Sequence, residues 1–183
     1  MDRLSPTAKK LCRDRSDASR VMENMLGMPR RRHLGNGVLY DGAKVVGKLT
    51  MAEGSFIGQD AFVAGDVVMK RRSQINPHGV VVGKVVLGPY AVVGYGACVI
   101  ASTYTTSGQY MCEWSKRKEE VRGMVVLEKG AYVGANAVIC VCRKNPTVII
   151  GERAAVGALT YVDRDVPAHT VVHAKAPAFS RSR

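Results

Sequence analysis

Aromatic residues are sparse in this chain: seven tyrosines, three phenylalanines and one tryptophan make up 6% of 183 residues. Aliphatic side chains must therefore fill its interior, and a hydrophobic share of 46% supplies them. No apolar run approaches the ~18 residues that a spanning helix needs, so no membrane span is expected. The first residues have no apolar core of a secretory signal, and Asp2, Asp14, Asp17 and Glu23 argue against an Arg-rich targeting peptide. Cysteine is confined to Cys12, Cys98, Cys112, Cys140 and Cys142, an odd set without CxxC spacing. Reduced thiols and a cytoplasmic location follow more naturally than a disulfide framework. Acidic residues are also few, 15 against 27 Lys and Arg, for a net charge of +12. The excess gathers in residues 1–32 and in Lys175, Arg181 and Arg183 of the tail. The middle lacks the basic surface interleaved with aromatics that stacks on bases, so nucleic acid is not the expected partner. Attraction of phosphorylated small molecules accounts for the charge as well.

What the chain has instead is a period of six. Stepping from Leu39 gives Val45, Met51, Ile57, Val63, Met69, Ile75, Val81, Leu87, Val93 and Val99, all aliphatic. Chance alone at this composition would produce such a run about 2 times in 10,000. The step resumes at Leu127, Val133 and Ile139, and again at Ile150, Val156 and Val162. Small residues often stand two positions earlier, as at Ser55, Ala61, Ser73, Gly79, Ala91 and Ala97, and glycine often follows, as at Gly58, Gly88 and Gly94. Neither a helical period nor simple alternation makes this pattern. Six residues are one short strand and one tight turn, and three such units close an 18-residue coil. The expected fold class is all-β, a parallel β-helix of hexapeptide repeats with the aliphatics inside. The small residue fits the crowded corner, and the glycine is expected to supply turn geometry.

Residues 100–123 break the period with a polar stretch, which predicts a protruding loop; a loop this long in a compact repeat fold is commonly functional. A second, shorter break falls at Arg143-Lys144-Asn145-Pro146. Ahead of the repeat, Ser5 and Pro6 cap an N-terminal α-helix with Leu4, Ala8, Leu11, Ala18, Met22 and Met25 along one stripe, ended by Gly27 and Pro29. The expected organisation is a basic helical extension over 1–36, a β-helix over 37–166 with its loop at 100–123, and an extended tail over 167–183.

The repeat, the loop and the ending Val162-Asp163-Arg164-Asp165-Val166-Pro167-Ala168-His169, followed by Pro177-Ala178, resemble the hexapeptide-repeat acyltransferase superfamily over residues 37–180. Arg117–Arg122 and Glu128–Asn136 are most similar to its amino-sugar N-acetyltransferase branch. The resemblance implies a left-handed coil, a homotrimer, and acetyl-CoA bound as acyl donor in a groove between subunits, without a metal. It places the cofactor beside Gly134, Ala135, Gly157, Ala158 and Lys175. Asn76, Ser102 and Trp114 are then candidates to contact a small-molecule sugar.

Many O-acetyltransferases of the superfamily carry a general-base histidine just after the repeat breaks. That slot is Tyr104 here, and no histidine lies between His78 and His169. Tyrosine, with a reference pKa near 10, is a poor base at neutral pH. An amine acceptor removes the difficulty, because a neutral amino group attacks a thioester without prior deprotonation. Tyr104 and His78 remain the candidate catalytic groups. His169 and His173 are four apart, but in an extended segment that does not suit a shared metal. The expected function is acetyl-CoA-dependent N-acetylation of an amino sugar, nucleotide-linked by resemblance. The alternatives are a non-catalytic β-helix scaffold subunit and a sugar O-acetyltransferase with a substituted base.

Overall fold

A computed structural model describes residues 31–106 and 118–174, with side chains excepted at 31, 103–106 and 118–120, and every regular element in it is a β-strand. The expected N-terminal helix, Trp114 and Lys175 lie outside the described residues. Among the described residues no helix is long and apolar enough to cross a membrane. The described residues from Arg32 onward belong to one compact unit.

The period of six becomes a coil of three walls. The first wall stacks Val38–Leu39, Phe56–Ile57, Gln74–Ile75, Val92–Val93, Tyr132–Val133, Ala155–Val156 and Val171–Val172 in parallel. The second and third walls share long strands: Lys44–Met51, Phe62–Met69 and Val80–Leu87 run across both and pair in register along their whole length. Cys98–Ile100 then continues the second wall by pairing with Val80, Val81 and Val82, while Met124–Leu127 continues the third by pairing with Lys84–Leu87. Successive coils are 18 residues apart, so the neighbour of residue i is i+18 until the loop intervenes. Val171–Val172, in the segment expected as a tail, adds a further rung to the first wall. The sheet also reaches back to Arg31–Leu34.

The six-step aliphatics face inward as expected. Ile57, Ile75, Val81, Leu87, Val93, Val99, Leu127, Val133, Ile139, Ile150 and Val156 are fully buried, each worth about 1.5–3 kcal/mol of apolar burial. Val45 is only half-buried, because its coil is the first and has a neighbour on one side alone. The small residues are buried too: Ser55 and Ser73 turn their hydroxyls onto the carbonyls of Ala52 and Lys70 at 2.6 and 2.7 Å. The third wall differs. There the position two before the aliphatic is Val67, Val85, Val125 or Val148, all fully buried, so this wall gives two large side chains to the core per coil.

The glycines that follow the aliphatics do not supply turn dihedrals, contrary to the sequence expectation. Positive φ falls three residues after the aliphatic, at Asp60, Arg72, His78, Tyr90, Asn136, Arg153 and Leu159, or at glycines 42, 54, 96 and 130. Gly58, Gly94 and Gly134 are required for a different reason: the next coil passes too close. A Cβ on Gly94 would lie 2.5 Å from the Val133 carbonyl oxygen, and one on Gly134 2.6 Å from the Ala158 nitrogen.

The edge between the second and third walls is built from Gly47, Gly65 and Gly83, with φ of 103, 110 and 95°. The strands bend there without a hydrogen-bonded turn. In the next coils the chain leaves the wall at this same edge: after Ala101 into a hairpin, after Val141 into the short turn through Asn145, and after Val162 through Asp163. Ser102–Thr106 and Lys118–Arg122 are the antiparallel arms of that hairpin.

Candidate functional site

The glycine edge and the hairpin base enclose a cleft of about 680 Å³. Its floor is backbone: Gly65, Gly83, Ala101 and Gly123. Asp66 and Lys84, Met124 and Thr147 project from the third wall as consecutive cross-strand partners, and Ser102 and Arg122 close the hairpin side. Ser102 and Arg122 are themselves opposite each other at the hairpin base. Parallel strands place register partners one strand spacing apart, so Asp66 lies between Lys48 of one neighbouring strand and Lys84 of the other. Neither Asp66 nor Lys84 has an ion-pair or hydrogen-bond partner among the described residues. Both are exposed.

Of the residues singled out from sequence, Ser102 is in this cleft and Tyr104 stands two residues along the same hairpin arm, opposite Glu120. The others lie on a different edge, between the first and second walls. Asn76 and His78 belong to the turn of the third coil, Gly134 and Ala135 to that of the fifth, and Gly157 and Ala158 to that of the sixth. His78 is exposed and occupies the left-handed position of its turn, φ 59°, with its amide donating to the Gln59 carbonyl at 2.9 Å. Histidine is one of the residues that tolerates this conformation. His169 occupies the equivalent place on the third edge, φ 58°. Within one chain, therefore, the structure does not bring His78 and Tyr104 to one edge.

The amides along the first edge differ in availability. Gly134 and Gly157 donate to the carbonyls of Val156 and Val172 at 2.7 Å each. The amides of Ala135 and Ala158 donate to nothing among the described residues. On the second wall, desolvation pushes the Tyr161 hydroxyl above the usual tyrosine range, with Cys140, Asp163 and Cys142 adding to the rise. That phenol stays protonated at neutral pH. Among the described residues no group of three or more His, Cys, Asp or Glu could hold a metal ion.

Sequence reasoning missed Asp66 and Lys84. The signal was there at a longer period: Val46-Gly47-Lys48, Ala64-Gly65-Asp66 and Val82-Gly83-Lys84 recur every 18 residues.

No protein-family model matches the chain, and no curated protein matches it in sequence. Solved structures do. A variant of AntD, an N-acyltransferase from Bacillus cereus, in complex with dTDP-4-amino-4,6-dideoxyglucose and coenzyme A, is similar with a TM-score of 0.67 and 22% identity, over 81% of this chain and 83% of that one. AntD in complex with dTDP and 3-hydroxybutyryl-CoA gives a TM-score of 0.65 and 21% identity, over 76% of each chain. At this level of identity the likeness establishes the fold: the chain is built as a hexapeptide-repeat parallel β-helix of the kind that AntD also adopts.

Proposed function

We propose that the protein is an acyl-CoA-dependent N-acyltransferase that acetylates an amino sugar carried on a nucleotide. The observation that carries this reading is the coincidence of two things: a coil shared with an N-acyltransferase that binds a dTDP-linked amino sugar and coenzyme A, and a cleft at the base of the hairpin that breaks the coil. Lys84 and Arg122 supply positive charge for a diphosphate there. Ser102 offers a hydroxyl to the sugar, with Trp114 and Asn76 as further contacts. Acetyl-CoA lies along the edge of Gly134, Ala135, Gly157 and Ala158, where the amides of Ala135 and Ala158 are available to its polar groups and Lys175 to its phosphates. Gly134 and Gly157 contribute closeness of approach only.

An assembly of three copies fits the same surface. The outer side of the second wall carries Val46, Phe62, Val82, Ile100, Val138 and Tyr161, an apolar strip of the kind that subunits cover. Covering it would also let the hairpin cleft of one copy meet the first edge of another, reuniting Tyr104 and Ser102 with His78 and Asn76.

The reading is tested by isothermal titration with coenzyme A, followed by assay of acetyl transfer from acetyl-CoA to dTDP-4-amino-4,6-dideoxyglucose. Micromolar coenzyme A binding and a turnover that needs the amino group are expected. A scaffold would bind no coenzyme A, and transfer to the hydroxyl analogue would point to an O-acyltransferase. Light scattering that returned a mass near 19.8 kDa at micromolar concentration would remove the trimer.

A further inference from the structure

We propose that Asp66 is the carboxylate that holds the amino group of the acceptor sugar in the hairpin-base cleft and takes the proton it gives up, an assignment that rests on the acyl-transfer reading above. Among the described residues that line the cleft, Asp66 is the one carboxylate. Among the described residues it has no ion-pair partner, although Lys48 and Lys84 are its register partners on either side and Arg122 stands across the cleft. A carboxylate flanked by cations yet paired with none is open to a ligand cation. The backbone fixes where it stands: Gly65 bends the strand at φ 110°, and a Cβ there would strike the Gly83 carbonyl oxygen at 2.5 Å, so the edge cannot relax by substitution. None of the four described histidines lines the cleft: His33 is in the strand Arg31–Leu34, His78 is on the first edge, His169 is on the third, and His173 follows Val172 beside Gly157.

The chemistry needs such a group after the attack rather than before it. The bound ammonium first gives one proton to solvent; the free amine so formed makes a bond from nitrogen to the thioester carbonyl carbon, and the electron pair moves onto the carbonyl oxygen. Nitrogen then bears a positive charge and an acidic N–H. Asp66 accepts that proton, the carbonyl re-forms as the C–S bond breaks, and coenzyme A leaves as the thiolate. The thiolate is then protonated by the Asp66 carboxyl or by water, which returns the carboxylate to its starting state. Before the reaction the same carboxylate favours the ammonium form electrostatically, which selects an amino sugar over its hydroxyl counterpart.

The test uses the full-length protein and needs no acyl donor for its first arm. Calorimetric affinities are compared for dTDP-4-amino-4,6-dideoxyglucose and dTDP-6-deoxyglucose at pH 7. The wild type should prefer the amino sugar by about 10-fold or more, the usual worth of a hydrogen bond between charged groups, and Asp66→Asn should abolish the preference with its melting temperature unchanged. In the second arm, Asp66→Asn should lower kcat by roughly 100-fold and move the rising limb of the kcat–pH profile to lower pH, because the bound ammonium has lost the charge that stabilised it. Equal affinities in the wild type, binding of neither sugar, or a variant that keeps both the preference and the limb overturns the assignment. Absence of coenzyme A binding and of transfer, with the amino preference intact and lost in Asp66→Asn, would overturn the acyl-transfer reading and leave Asp66 as the amine-binding group.

Discussion

The first edge and the glycine edge flank the second wall on its two sides in the same coils, yet they are made differently. At the first edge the first five coils each close a four-residue turn with its own hydrogen bond, as from Ala61 to Gly58, Gly79 to Asn76 and Ala97 to Gly94. Each turn also bonds to the one before it, as His78 does to Gln59 and Asn136 to Tyr95. At the glycine edge no turn exists, only a bend in a continuous strand at residues 47, 65 and 83. An insertion at the first edge would break the turn's own bond as well as its bond to the turn before, whereas the glycine edge has no turn bond to lose, only the pairing between strands. The hairpin, the short turn at 142–146 and the excursion at 163–165 all take the second route. A repetitive coil thus gains an irregular, chemistry-bearing segment at the edge where regularity is cheapest to lose.

Substitutions can break this contrast in graded fashion. The largest effect is expected where both edges depend on a common core: Val81→Asp would bury a carboxylate without a partner and should cost several kcal/mol, visible as loss of the cooperative thermal transition. Wild-type melting would mean that this residue does not face inward. Next comes Gly65→Ala. Its Cβ would meet backbone at 2.5 Å and its φ of 110° suits no other residue, for a loss of about 3 kcal/mol in denaturant titration. The matched change at a turn, Gly130→Ala, meets nothing closer than the Arg153 side chain at 3.5 Å and should cost about 1 kcal/mol. Equal losses would erase the distinction between bend and turn.

In catalysis the two edges should also part company. With an amine that needs no activation, Tyr104→Phe and His78→Ala should each reduce kcat/KM by ~10-fold or less, the loss of a positioning contact. A fall of 100-fold in either would make that residue the base. The smallest effect is a gain. Leu159 is 74% exposed and holds a left-handed turn position at φ 59°. Leu159→Gly should therefore raise stability by up to about 1 kcal/mol, read as a shift of the urea midpoint.

The walls were legible in the sequence because burial imposes one constraint per six residues and leaves its mark at every rung, from Leu39 to Val162. The doubled valines of the third wall were legible too, but at the 18-residue period of a whole coil, which a step of six averages away. The misreading of Gly58 and Gly94 has the same root. A glycine needed for a passing backbone and a glycine needed for a turn leave the same letter, and only the φ values at Asp60 and Gly96 separate them. The hairpin arms, Ser102–Thr106 and Lys118–Arg122, were visible as a loss of period and nothing more, since five residues are too few to establish an alternation of their own. Asp66 was hidden for a plainer reason. A charged residue on an outward strand position resembles any solvated one until the hairpin base is seen to stand over it.

The hairpin also lengthens the closures that the coil must make. Pairing between coils joins residues 18 apart, as Ile57 with Ile75, so each of these rungs closes a loop of one coil. Across the hairpin the separation becomes 40, as in Val93 with Val133 and Leu87 with Leu127. Closing the longer gap costs only about 0.7 kcal/mol of extra chain entropy, so the finished molecule scarcely registers it. The segment that furnishes the cleft is thereby also where the coil makes the longest closure among its described rungs.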